Sequence, residues 1–146
     1  MTQAAHIAFS HVGICVSDME RSMRFYTQAL GFAISHSLDA GPPFDIMTEL
    51  PELRVRATFM VRDGVMIELL HHERPTATGS AERRPMNQLG LTHLSFTVAD
   101  MATVTELIGK YGGHVFAHTK VNSRNGEMMF CTDPDGIRIE LWQKPA

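Results

Sequence analysis

Two histidines and two glutamates recur at matched places in this chain, and together they are a set that holds a metal ion. His11 opens "HVGICVSDM" and His93 opens "HLSFTVADM", with Asp-Met seven and eight positions beyond the histidine in both. Further along each half, "RDGVMIELL" (62–70) matches "PDGIRIELW" (134–142), so Glu68 and Glu140 each stand four residues past the glycine of an Asp-Gly pair. Two imidazoles and two carboxylates suit a divalent ion such as Ni, Co, Zn, Mn or Fe. Gathered in one cavity without an ion they would make a poor core, because an unpaired buried carboxylate is heavily penalised. Repetition carries this reading, since a single histidine or glutamate on a strand is ordinarily a solvated polar residue.

The elements that must position the four residues are duplicated too. The first module spans 7–71 and the second 90–143, joined by a Pro-, Gly- and Ser-rich linker over 72–89, and the whole of 1–146 reads as one domain. "HVGICV" and "HLSFTV" alternate as strands: Val12, Ile14 and Val16 face one way and His11, Gly13 and Cys15 the other, as Leu94, Phe96 and Val98 oppose His93, Ser95 and Thr97. A helix follows each, opened by Ser17 with Glu20 three residues on, and in the second copy by Asp100. Met19, Met23, Tyr26 and Leu30 form the buried stripe of the first helix, and Met101, Val104, Ile108 and Tyr111 that of the second; Gly31 and Gly112-Gly113 stop them. Further strands are expected at 32–38, 54–62 and 65–71, then at 114–121, 127–132 and 137–142, with the Asp-Gly turns closing hairpins. The product is a βαβββ unit, twice, in the α+β class. Parity then places Glu68 opposite the Val65, Ile67, Leu69 face and Glu140 opposite the Ile137, Ile139, Leu141 face. With helices over the apolar faces, both histidines and both glutamates look into the concave side, beside the small residues Gly13, Cys15, Ser95 and Thr97.

The other candidate ligands lack this support. His72 shares the parity of Glu68, but neither it nor His71 has a counterpart in the second module, where Gln143 and Lys144 follow Trp142, so both read as a polar strand end. No spacing argument attaches to His6, His36, His114 or His118. Cys15 and Cys131 have no CxxC spacing and sit in apolar runs, which favours buried reduced thiols over a disulfide.

Composition excludes several classes of partner. A chain of 146 residues, 44% hydrophobic and 20% charged, has one domain's length. Its net charge of −3, with Lys and Arg scattered, offers no basic stripe for nucleic acid. "MTQAAHIAFSH" has neither the basic start nor the apolar core of a leader, and no run approaches a membrane span, so the chain reads as cytoplasmic.

The paired motifs "H-V-G-I-x-V-x-D-M…F-Y…L-G-F" and "G-L-T-H-L-S-F-T-V…D-P-D-G-x-x-I-E-L" resemble the vicinal oxygen chelate superfamily, which includes glyoxalase I, methylmalonyl-CoA epimerase, extradiol dioxygenases and fosfomycin or bleomycin resistance proteins. The resemblance covers almost the whole chain. It implies two tandem βαβββ modules forming a U-shaped, partly closed mixed sheet with helices outside. It further implies a homodimer and one divalent ion per site, held by His11, Glu68, His93 and Glu140.

Four protein ligands on an octahedral ion leave two positions, enough for a small substrate bound through vicinal oxygens. Ring-cleaving dioxygenases keep a third position open with a two-His, one-carboxylate triad, from which Glu68 departs. The expected function is therefore that of a glyoxalase-I-like enzyme: proton transfer through an enediolate in an isomerase, epimerase or lyase reaction. Glu140 is expected as the base, because it resembles the superfamily's second-module catalytic glutamate, with Glu68 as the other candidate. An extradiol-type dioxygenase and a non-catalytic, resistance-type binding module are the alternatives. Substrate specificity is assigned to the loop 39–53 and the linker.

Overall fold

A computed structural model describes residues 6–146. The first module runs β1 (Val12–Cys15), α1 (Met19–Gln28), β2 (Ala33–Ala40), α2 (Phe44–Thr48), β3 (Arg54–Arg62) and β4 (Val65–Arg74). The second runs β5 (Leu94–Val98), α3 (Met101–Lys110), β6 (His114–Val115), β7 (Val121–Ser123), β8 (Gly126–Thr132) and β9 (Arg138–Gln143). Each module builds its own mixed sheet, in the orders β1-β4-β3-β2 and β5-β9-β8-β6, with β7 also on β8. In both, the first strand is outermost and parallel to the last, and the remaining pairings are antiparallel. The architecture is thus α+β with paired modules, as expected.

Alternation is obeyed where it matters. Ile14, Val16, Ile67 and Leu69 are buried on one face of the first sheet, and Ile139 and Leu141 on that of the second. With Met19, Phe25 and Tyr26 of α1, Leu30 in the turn just beyond it, and Met101 and Ile108 of α3 they form one core across both modules. Met23, Val104 and Tyr111 are only partly buried against it.

The modules are also tied by polar contacts at the β8–β9 loop. The Tyr26 hydroxyl donates to Asp133 Oδ2 at 2.9 Å, and Asp133 Oδ1 accepts the N–H groups of Asp135 (2.9 Å) and Ile137 (2.8 Å). Asp135 in turn accepts from Ser17 N–H at 2.9 Å and from Arg21 Nη2 at 2.8 Å. Burial pushes the Asp133 carboxyl up to about 6, although its three donors pull the other way. Gly136 follows at φ 86°, and a Cβ there would strike the Ala81 carbonyl, so only glycine lets the linker lie against this loop.

Several local expectations are corrected. Asp18, not Ser17, caps α1 by accepting the Arg21 N–H, while the Ser17 hydroxyl is engaged by Asp135. Asp100 caps α3 as expected. The strand expected over 114–121 is interrupted by a 3₁₀ turn at Ala117–Thr119, because the Thr119 hydroxyl accepts the Phe130 N–H at 3.0 Å in place of a ladder carbonyl. Asp63-Gly64 closes a two-residue hairpin with both φ positive, at 48° and 76°, but β8 and β9 are joined by a five-residue loop instead. β4 continues past 71 to Arg74, so His72 lies within the strand and its polar end falls later, at Glu73 and Arg74. Cys131 is buried, and burial raises its thiol to about 11; Cys15, expected buried, is exposed on the His11 face. Among the described residues no helix is long and apolar enough to cross a membrane.

Candidate metal centre

Each module brings one candidate His–Glu pair together from the same three pieces of backbone. The histidine sits just before the outermost strand, and the glutamate sits on the neighbouring last strand, in register with residue i+2 of the histidine: Gly13 faces Glu68 and Ser95 faces Glu140. His11 Nε2 lies 3.0 Å from Glu68 Oε2, and His93 Nε2 lies 3.9 Å from Glu140 Oε2. The third strand places a phenylalanine opposite each glutamate, Phe59 against Glu68 and Phe130 against Glu140. Its ring meets the histidine edge-on, at 5.3 Å for His11 and 5.6 Å for His93. Behind the imidazoles, Nδ1 of His11 is hydrogen-bonded to Ser10 Oγ at 2.8 Å and Nδ1 of His93 to Thr92 Oγ1 at 2.9 Å. With Nδ1–H donating to the hydroxyl, Nε2 would be the nitrogen open to an ion lying between it and the carboxylate.

The pairs within each module meet, but the two pairs do not meet each other. Among the described residues no three His, Cys, Asp or Glu side chains form a group able to hold a metal ion. Each pair presents one nitrogen and one carboxylate, donors that fit a divalent ion but supply only half of the four-residue set.

The halves differ in what holds the carboxylate. Ser95 Oγ donates to Glu140 Oε1 at 2.8 Å, whereas Glu68 has Gly13 in the equivalent place and no hydroxyl to hold it.

Four of these neighbours escape a reading centred on the glutamates and histidines. Ser10 and Thr92 carry a visible signal, a hydroxyl residue immediately before the histidine in both copies. Phe59 and Phe130 do not, because the unequal β3–β4 and β8–β9 connections shift their spacing from the Asp-Gly pairs. Of the remaining histidines, His36 stacks on Phe59 with centroids 4.5 Å apart, and His72 Nδ1 lies 3.7 Å from Cys15 Sγ. His118 lies beside Arg83 and Phe116, away from both pairs.

A cavity of about 350 Å³ adjoins the second half, lined by Gly13, Cys15, Arg84, Leu91, His93 and Arg138 among others. A larger one of about 470 Å³ between the modules, walled by Phe32, Val65, Ile67, Phe96 and Leu141, includes none of the four candidate ligands.

Paired modules with matched histidine–glutamate halves define a class of fold and site. Residues 8–141 match the Glyoxalase/Bleomycin resistance protein/Dioxygenase superfamily, and the chain belongs to it. The catechol-2,3-dioxygenase of Bacillus subtilis is 24% identical over 136 residues, covering 91% of this chain but 41% of the longer protein. The lactoylglutathione lyase of Salmonella typhimurium is 28% identical over 137 residues, covering 90% of this chain and 88% of that enzyme. A glyoxalase family protein from Bacillus cereus has the same fold, with a TM-score of 0.86 at 19% identity over 100% of this chain and 99% of its own.

Proposed function

We propose that this protein is a divalent-metal-dependent enzyme of the glyoxalase type, whose site is completed by a second copy of the chain: His11 and Glu68 from one subunit, His93 and Glu140 from the other. The observation that carries this reading is the duplicated half-site, built to one plan and incomplete in each module. The apolar residues leading into the two histidines support the dimer. Ile7 and Phe9 before His11, like Leu89 and Leu91 before His93, are exposed large side chains at the same offsets, up to 95% exposed at Leu89. Two free thiols fit a reducing cytoplasmic setting.

When bound, the ion would polarise a carbonyl of a substrate held through two neighbouring oxygens and make the adjacent C–H more acidic. The chain's own residues do the rest. Glu140 takes that proton at Oε2 and returns it to a neighbouring position, while Oε1 stays with the Ser95 hydroxyl, which orients the carboxylate. Glu68 serves as ligand and as the second acid of the pair. Phe59 and Phe130 wall the site and limit water around the exchanging proton. Return to the neighbouring carbon is an isomerisation, return to the opposite face of the same carbon an epimerisation, and departure of a group from the neighbouring carbon, carrying the electron pair, a lyase reaction.

Metal analysis after reconstitution tests the site: about one divalent ion per chain is expected, and loss of that ion in both His11→Ala and His93→Ala. Undiminished binding in both variants would end the assignment. The dioxygenase name of the Bacillus subtilis relative motivates a second arm. No oxygen uptake is expected with catechols, and Fe(II)-dependent uptake would show that Glu68 leaves the ion during turnover. A metal-loaded protein that turns over no member of a panel of vicinal-oxygen substrates would favour the binding-module reading.

A further inference from the structure

Arg138 is a buried cation without an anion. It occupies the same strand face as Glu140, two residues earlier and so roughly 7 Å along β9, and only 9% of its surface is exposed. One guanidinium N–H donates to the Arg84 carbonyl at 2.7 Å, and the group lies 4.9 Å over the Phe130 ring, the ring that meets His93 edge-on. Among the described residues no carboxylate lies within ion-pair distance of it. Residues 1–5, "MTQAA", contain no acidic side chain. Glu140 does not serve as its partner, since one oxygen is held by Ser95 and the other faces His93. A fixed, desolvated cation of this kind is costly unless something compensates it. Arg138 lines the cavity that His93 and Gly13 also line.

We propose that Arg138 is the receptor for a carboxylate carried by the substrate close to its vicinal oxygens, so that the substrate class is a small oxo or hydroxy acid with a second anionic arm. The proposal rests on the chelate reading above and adds the arm that Arg138 recognises. A planar guanidinium, seated over Phe130 and pinned at one nitrogen by the Arg84 carbonyl, has further N–H groups for paired hydrogen bonds to a carboxylate.

Two arms of one experiment separate this claim from the chelate reading. In the first, cobalt-loaded protein is titrated with acetohydroxamate, which carries two vicinal oxygens, and with succinohydroxamate, which adds a carboxylate. The wild type should bind the carboxylated probe tighter by about tenfold or more, as a charge-assisted hydrogen bond supplies. Arg138→Gln should bind both alike, with its cobalt content retained. Arg138→Lys keeps the charge without the fork and should retain an intermediate preference, which serves if the glutamine variant does not fold. In the second arm, metal-free protein is titrated with succinate while the Arg138 side-chain N–H resonances are followed. Saturable shifts are expected in the wild type, and none in the shared backbone signals of Arg138→Gln. Equal affinity for the two hydroxamates in the wild type, or succinate shifts that persist in Arg138→Gln, would overturn the receptor and leave the chelate reading standing. Succinate binding at Arg138 with no hydroxamate effect on the cobalt spectrum would do the reverse.

Discussion

In the first half-site Glu68 lies 3.0 Å from His11 over a bare glycine, whereas in the second Glu140 stands 3.9 Å from His93 with one oxygen held by Ser95. Strand register, phenylalanine wall and the hydroxyl behind the imidazole are otherwise shared. Position 13 against 95 therefore decides whether a hydroxyl holds the carboxylate. The unheld one is free to turn toward its histidine or an ion. The held one has a fixed oxygen and a free oxygen, the arrangement a directional proton acceptor needs.

The largest expected effect tests which carboxylate is the base. Glu140→Gln keeps size and a carbonyl oxygen but removes the basic site, so exchange of the substrate's α-proton with deuterated solvent should fall by about 10² to 10⁴ with metal still bound. Exchange at the wild-type rate in that variant would transfer the role to Glu68 and invert the comparison. A smaller effect separates the loops behind the two sites. The compact Asp63-Gly64 turn buries no acid, but the β8–β9 loop buries Asp133 with its carboxyl near 6, above the value of an unfolded chain. The stabilisation tied to its proton is complete below about pH 4 and is lost as the pH rises through 6, by up to about 3 kcal/mol. Asp133→Asn keeps an acceptor for the two backbone N–H groups without the charge, and its denaturation midpoints between about pH 4 and 6 should lack that decline. An unchanged pH profile would mean that the three donors outweigh burial.

Finer still is the hydroxyl itself. Ser95→Ala should slow α-proton exchange by about tenfold, the worth of a hydrogen bond to a charged group, with metal content unchanged. The smallest effect is expected of Gly13→Ser, which gives Glu68 the same neighbour. A Cβ there would meet Leu70 Cδ1 at 3.5 Å and Glu68 Oε2 at 3.8 Å, ordinary contacts, so the variant should fold. If it slowed exchange as much as Ser95→Ala, the two carboxylates would be equivalent in the reaction.

What could be read from the sequence were features with a period or a copy. Strand parity placed Glu68 and Glu140 because alternation along "GVMIELL" and "GIRIELW" has two possible phases and the core selects one. The helices announced themselves through stripes such as Met19, Tyr26 and Leu30. The cap of α1 was misplaced by one residue, because Ser17 and Asp18 are both good N-caps and the choice depends on Asp135, 118 positions from Ser17. The broken strand at 117–119 turns on one hydroxyl, that of Thr119. The five-residue α2 is too short to show a helical period. Strand parity puts Arg138 on the face of Glu140, but its lack of an anion is a property of three-dimensional packing alone. Repetition identified four candidate ligands and could not say how many chains bring them together, since an intramolecular and a shared site repeat identically.

Mixing two inactive variants tests the shared site most directly. His11→Ala and His93→Ala subunits, each deprived of metal as a homodimer, are unfolded together, refolded as an equal mixture and reconstituted. A heterodimer of the two would contain one site missing both histidines and one with all four ligands. In a statistical mixture the metal bound and the α-proton exchange rate should return to about a quarter of the wild-type values, with neither variant alone showing any. A mixture as empty as its parents, with heterodimers confirmed by mass, would contradict a site shared between chains.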